Sequence, residues 1–220
     1  MSFVDDVLAF RDIADSGDVF RPGSWPDDLP YRADLSAVEG PLLRQHVFDA
    51  FSDSIHRGCV YALVWGYPRG TLYEKRSKTV ETNTLWKAVL DLGELVAGVE
   101  SLRAFSKGAK DTIARLNKQS GLGTASTSKV AYFAELDTSA GLCCIYDVRV
   151  RKAIKRLPYP ELSAAKADLP LDKSGPDFYE KYLHHLAKLA KLIGKATTTD
   201  DVERFLFVRG GEKHLKSIGV

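Results

Sequence analysis

Two residues of this chain could carry out covalent chemistry together: Lys129 and, eighteen residues further on, Asp147. Lys129 lies in Thr124-Ala-Ser-Thr-Ser-Lys-Val-Ala-Tyr-Phe-Ala134, where helical spacing places it on one face with Val130, Phe133 and Leu136. A lysine beside an apolar stripe either snorkels its ammonium to water or lines a cleft. In a cleft, a desolvated amine can act as a nucleophile and form a Schiff base. Asp147 follows the apolar run Leu142-Cys-Cys-Ile-Tyr146 and precedes Val148-Arg-Val-Arg-Lys-Ala-Ile-Lys-Arg156. Its plain role is helix N-cap, where a carboxylate accepts backbone N–H bonds and suits the helix dipole. A carboxylate fixed there stays ionised and can also stabilise a cationic transition state nearby.

The flanking residues supply a surface. Gly121-Leu122-Gly123 separates a helix over 113–118 from one over 124–136. The glycines permit a sharp turn and leave the amides that open the second helix, from Thr124, accessible to a phosphate, although the same pattern also serves as an ordinary helix C-cap. After Asp147, the residues Arg149, Arg151, Lys152, Lys155 and Arg156 place five cations within eight positions. Such a run is either a solvated face or a seat for a DNA backbone.

With these residues in view, the chain resembles the helix-hairpin-helix DNA glycosylase superfamily, in particular the prokaryotic 8-oxoguanine-glycosylase-like proteins. The likeness is carried by the glycine hairpin, by Ser128-Lys129-Val130-Ala131 with Tyr132-Phe133-Ala134, and by Asp147-Val148-Arg149-Val150. It implies an all-α fold of two helical lobes around a cleft. It also implies attack by Lys129 on the sugar C1′, with Asp147 stabilising the developing oxocarbenium. The substrate implied is double-stranded DNA containing a modified base, bound through Gly121, Gly123, Thr124, Arg149, Arg151 and Lys152, with no cofactor or metal and the protein acting as a monomer. A base reached this way must be flipped out and stacked on aromatics, for which Trp65, Tyr67, Tyr132 and Tyr182 are candidates. One departure is that Lys129 follows Gly123 by six residues, about one helical turn more than in the best-known members. The residues that grip oxidised guanine in those members have no counterparts here, so base specificity does not carry over.

These residues need a scaffold. At 220 residues and 45% hydrophobic, the chain can bury an ample core. Its three cysteines, Cys59, Cys143 and Cys144, match neither a disulfide framework nor a zinc spacing, and the start lacks a signal-peptide pattern, so a cytoplasmic protein is expected. Residues 1–40 read as a short helix and an irregular wrap whose Phe20, Trp25 and Tyr31 dock on the remainder. Residues 41–220 read as the helical domain, with Pro41 as the first helical position, the apolar run 59–65 as helix, and an amphipathic helix over 85–99. A late helix from Asp177 ends at Gly194, and Asp200 with Glu203 resembles a capping arrangement for the last one. No stretch alternates as a strand does. Net charge is only +2, so any polyanion surface must come from local clustering. Two readings from other classes stand beside the glycosylase: a non-catalytic helix-hairpin-helix DNA-binding module, and a helical protein-interaction domain.

Overall fold

The computed structural model describes residues 2–11, 18–67, 108–120 and 122–211, with isolated positions at 70 and between 91 and 96. Gly121, the basic loop after Tyr67 and most of the expected helix over 85–99 lie outside the described residues. The described helices are α1 (Phe3–Arg11), α2 (Arg32–Ser36), α3 (Arg44–Asp53), α4 (Ile55–Gly66), α5 (Ala109–Ser120) and α6 (Thr124–Phe133). After them come α7 (Val148–Arg156), α8 (Ser163–Asp168), α9 (Pro176–Ile193) and α10 (Thr199–Gly211). The fold is all-α. Among the described residues the extended pairs are two antiparallel ladders, β1 (Asp18–Val19) with β2 (Pro41–Leu42) and β3 (Asp137–Thr138) with β4 (Gly141–Leu142).

These ladders correct the expectation of no strands. Pro41 pairs with Val19 instead of opening a helix. Helix α3 starts three residues later at Arg44, where the Leu43 amide donates to His46 Nδ1 at 3.1 Å. In the N-terminal wrap, Phe20 and Trp25 are buried as expected, but Tyr31 does not dock: it is 38% exposed, with a left-handed φ of 58°.

Two helices form the centre. Helix α4 is capped by Ser54, whose hydroxyl accepts from the Arg57 amide, and it is buried continuously from Gly58 to Trp65. Helix α6 packs against α3, α4 and α5 and is buried on nearly every side, from Ser126 through Phe133. Burial extends beyond the face that carries Val130 and Phe133: small Ser and Thr residues let neighbouring helices approach, with Thr127 and Ser128 donating to backbone carbonyls about one turn back and Ser126 bonded to the Tyr67 hydroxyl. Glu135, at φ 51°, ends this region before position 136.

Helix α9 fixes the chain leading into α7. Tyr179 donates its hydroxyl to the Cys144 carbonyl at 2.8 Å and accepts from the Cys144 amide at 3.1 Å. Tyr182 donates to the Ile145 carbonyl at 2.7 Å, and the Tyr146 amide donates to Ser128 Oγ at 3.1 Å. The extended stretch before Asp147 therefore has its polar backbone satisfied by two buried tyrosines and by the helix that carries Lys129. Behind it, α10 lies along α7, so closely that a Cβ at Gly210 would overlap the Arg149 carbonyl.

Candidate active site

Lys129 and Asp147 meet. The Lys129 ammonium donates to Asp147 Oδ2 at 3.0 Å, and the two side chains are only 2% and 9% exposed. Of the two fates open to a lysine on this face, snorkelling is therefore ruled out. The ammonium also donates to the Ala125 carbonyl, one turn earlier on its own helix, at 3.0 Å. Tyr67, just beyond the end of α4, places its ring 5.4 Å from the nitrogen.

Asp147 divides its oxygens between two tasks. Oδ2 holds the lysine, and Oδ1 caps α7 by accepting from the amides of Arg149 at 2.8 Å and Val150 at 3.3 Å. Burial alone would push this carboxyl up. The Lys129 ammonium and the two amides outweigh that and hold it below the ordinary carboxylate range. The site therefore presents a buried carboxylate anion and a primary amine to the same point. That pair suits stabilisation of a positive charge at a carbon and capture of that carbon by nitrogen.

Around Trp65 and Tyr132 the structure builds a different cluster. Arg44 lies with its guanidinium 5.2 Å from the Trp65 ring, 4.9 Å from Tyr132 and 5.1 Å from Phe207. It makes a forked bond to Glu203 at 2.7 and 3.2 Å, and both residues are buried. Burial pushes the Glu203 carboxyl up to about 7, against the opposing pull of Arg44. Tyr132 donates its hydroxyl to Asp200 at 2.7 Å. Asp200 and Glu203 are therefore spent on these partners and do not form the expected cap. The α10 cap is Thr198 with Asp201, in which the Thr198 hydroxyl accepts from the Asp201 amide and the Asp201 carboxylate accepts from the Thr198 amide. A cavity of about 410 Å³ opens beside this cluster, lined by Arg44, Phe48, Tyr132, Cys144 and Asp200 but by neither Lys129 nor Asp147.

The remaining predicted residues are distributed as follows. Among the aromatics Trp65, Tyr67, Tyr132 and Tyr182, the ring over the amine is Tyr67; Tyr182 is buried and stacks on Tyr146 at 4.6 Å. In the hairpin, Gly123 is exposed with open space where a Cβ would stand, and it immediately precedes α6. Thr124 is buried and accepts at Oγ1 from Asn117 Nδ2 at 2.9 Å, while Asn117 Oδ1 accepts from Thr127. On α7, Arg149 rests on the Phe207 ring at 4.9 Å, Arg151 is 8% exposed, and Lys152 faces solvent.

Sequence reasoning missed Asn117, Ser126, Gly66 and the Arg44–Glu203 pair. A signal existed for Glu203, an acid flanked by Val202 and Phe205-Leu206. None existed for Arg44, which nothing in its local pattern sets apart. The cysteines are not nucleophile candidates, since burial pushes the Cys59 and Cys143 thiols up to about 12. Among the described residues no group of three or more His, Cys, Asp or Glu could hold a metal ion, and no helix is long and apolar enough to cross a membrane.

A family model described as "Putative 8-oxoguanine DNA glycosylase OGG-like protein" matches residues 11–207, which includes every described element of the site. No curated protein and no solved structure matches the chain.

Proposed function

Because the chain belongs to this OGG-like family, we propose that it is a DNA glycosylase that releases an oxidised or otherwise modified base by attack at C1′. The observation that supports this most directly is the buried Lys129–Asp147 contact at 3.0 Å. The base is extruded from the duplex so that its sugar reaches the pair. As the C1′–N bond breaks, the bonding electrons leave with the base and positive charge grows on C1′ and the ring oxygen, opposite the Asp147 carboxylate. The departing base takes a proton from the Lys129 ammonium. The freed nitrogen lone pair then closes on C1′, giving a covalent N,O-acetal that opens at the C1′–ring-oxygen bond, a proton passing from the nitrogen to that oxygen, to leave a Schiff base. Loss of a C2′ proton from that Schiff base expels the 3′-phosphate, which is the route to strand cleavage.

Borohydride trapping on duplexes carrying a panel of oxidised and otherwise modified bases, and an abasic site, tests the proposal. A covalent protein–DNA adduct is expected, and it is absent in Lys129→Ala. DNA binding with neither base release nor adduct on every substrate would leave the non-catalytic module instead. No salt-dependent DNA affinity at all would leave only a protein-interaction domain.

A further inference from the structure

Gly66 and Tyr67, at the end of α4, stand against the stem and the ammonium of Lys129. A Cβ added at Gly66 would lie 2.6 Å from Lys129 Cδ and 2.7 Å from Cε, so the lysine stem passes through the space that the missing side chain leaves. The backbone gives no other reason for glycine, because the φ of Gly66 is not left-handed and alanine is the better residue at a helical position. One residue on, the Tyr67 ring faces the ammonium at 5.4 Å, and its hydroxyl shares a 3.1 Å hydrogen bond with Ser126 Oγ, on the same helix as Lys129.

The ammonium has three N–H vectors. One goes to Asp147 Oδ2 and one to the Ala125 carbonyl, each at 3.0 Å. The face of Tyr67 lies against the ammonium as well, and an electron-rich ring attracts a cation without giving it a fixed hydrogen-bond partner. Among the described residues, the charged or titratable groups recorded at the ammonium are Asp147, at the start of α7, and Tyr67, at the end of α4.

We infer that Gly66 and Tyr67 are positioning residues: the glycine admits the lysine stem and the tyrosine ring holds its ammonium against Asp147. The inference deepens the glycosylase reading and rests on it only for its effect on rate. The arrangement itself can be read without DNA. A ring over the nitrogen shifts the neighbouring Lys129 ε-CH₂ protons upfield, and the signal is assigned by its loss in Lys129→Arg. That upfield shift is expected in the wild-type protein and in Tyr67→Phe, which keeps the ring, and is lost in Tyr67→Leu. Gly66→Ala moves the ε-CH₂ signal, because the stem has to leave its channel, and it gives up part of the stability that the buried ion pair contributes.

In single-turnover trapping on an abasic duplex at saturating DNA, Tyr67→Leu falls by about three- to thirtyfold, the range of cation–π contacts from exposed to desolvated. Tyr67→Phe restores most of that loss, and Gly66→Ala falls while keeping its DNA affinity. No upfield shift in the wild type overturns the inference, as does Tyr67→Leu trapping at the wild-type rate. Phe being as slow as Leu also overturns it, since the ring face would then not be what matters. If Tyr67→Leu fails to fold, the Gly66→Ala result decides: an unmoved ε-CH₂ signal overturns the inference. A wild type that shows the shift yet neither releases a base from nor traps on any of the duplexes defeats the glycosylase reading and leaves the positioning intact.

Discussion

Asp147 is asked to cap a helix with one oxygen and hold an ammonium with the other, and the two tasks can be separated by substitution. Asparagine is as good an N-cap as aspartate, so Asp147→Asn should preserve α7 while removing the charge opposite Lys129. Leaving a buried ammonium unpaired costs about 3–5 kcal/mol, which urea denaturation at neutral pH would read. On the proposed mechanism, single-turnover excision should fall by roughly a hundredfold or more, because Asp147 would supply the charge that offsets the oxocarbenium. The pH dependence follows from the lowered carboxyl. Its stabilising contribution is fully present above the ordinary value of 3.8 and is lost as pH falls through the lower value of the folded state. The stability gap between wild type and Asp147→Asn should therefore narrow below about pH 4. A gap that stays constant down to pH 3 would show that the ion pair contributes nothing to folding. Substituting Asp147 by Ala removes both tasks, and helix capping adds about 1 kcal/mol to its loss.

At the scale of elements, the buried Arg44–Glu203 pair ties α3 to α10 across 159 positions of sequence. Removing one partner of such a pair costs about 3–5 kcal/mol, whereas replacing both with apolar residues of similar volume is close to neutral. Arg44→Met should therefore be more destabilising alone than together with Glu203→Met, which a double-mutant cycle measures. The sign of the pH effect is opposite to that at Asp147. A carboxyl raised to about 7 from 4.5 binds its proton more tightly in the folded state, so this group's contribution to stability declines as pH rises through that window. Glu203→Gln should remove that decline; an unchanged profile would mean the carboxylate is ionised throughout. This pair also marks where the sequence ceased to be informative. Lys129 and Asp147 were legible because local spacing sets them: one lies beside an apolar stripe, and the other precedes a basic helix. The Tyr179 and Tyr182 bonds that hold Asp147 in place, the Tyr67–Ser126 bond and the Arg44 fork join residues far apart in the chain. Nothing in their local patterns announces a partner, because the partner is chosen by packing. The helix that carries Lys129 also reads three residues longer than it is, because Leu136 continues the apolar spacing past the left-handed turn at Glu135.

For the molecule as a whole, 31 basic residues against 29 acidic ones give no general attraction to a polyanion, so DNA affinity has to be local. Helix α7 offers such a place. Lys152, Lys155 and Arg156 are exposed on it, while Arg149 leans on Phe207 and Arg151 is buried, so the run of five cations divides into an outer set and an inner set. The outer set can release counterions from a DNA backbone, and each such contact contributes about one unit to the slope of log affinity against log salt. Lys152→Ala and Lys155→Ala should each weaken binding to all duplexes alike, lower that slope by about one, and leave folding unchanged. Arg151→Ala should instead show mainly in stability, since a guanidinium that is 8% exposed cannot be exchanged for a methyl group without disturbing its surroundings. If salt titrations of the outer variants match the wild type, the backbone does not lie on this face.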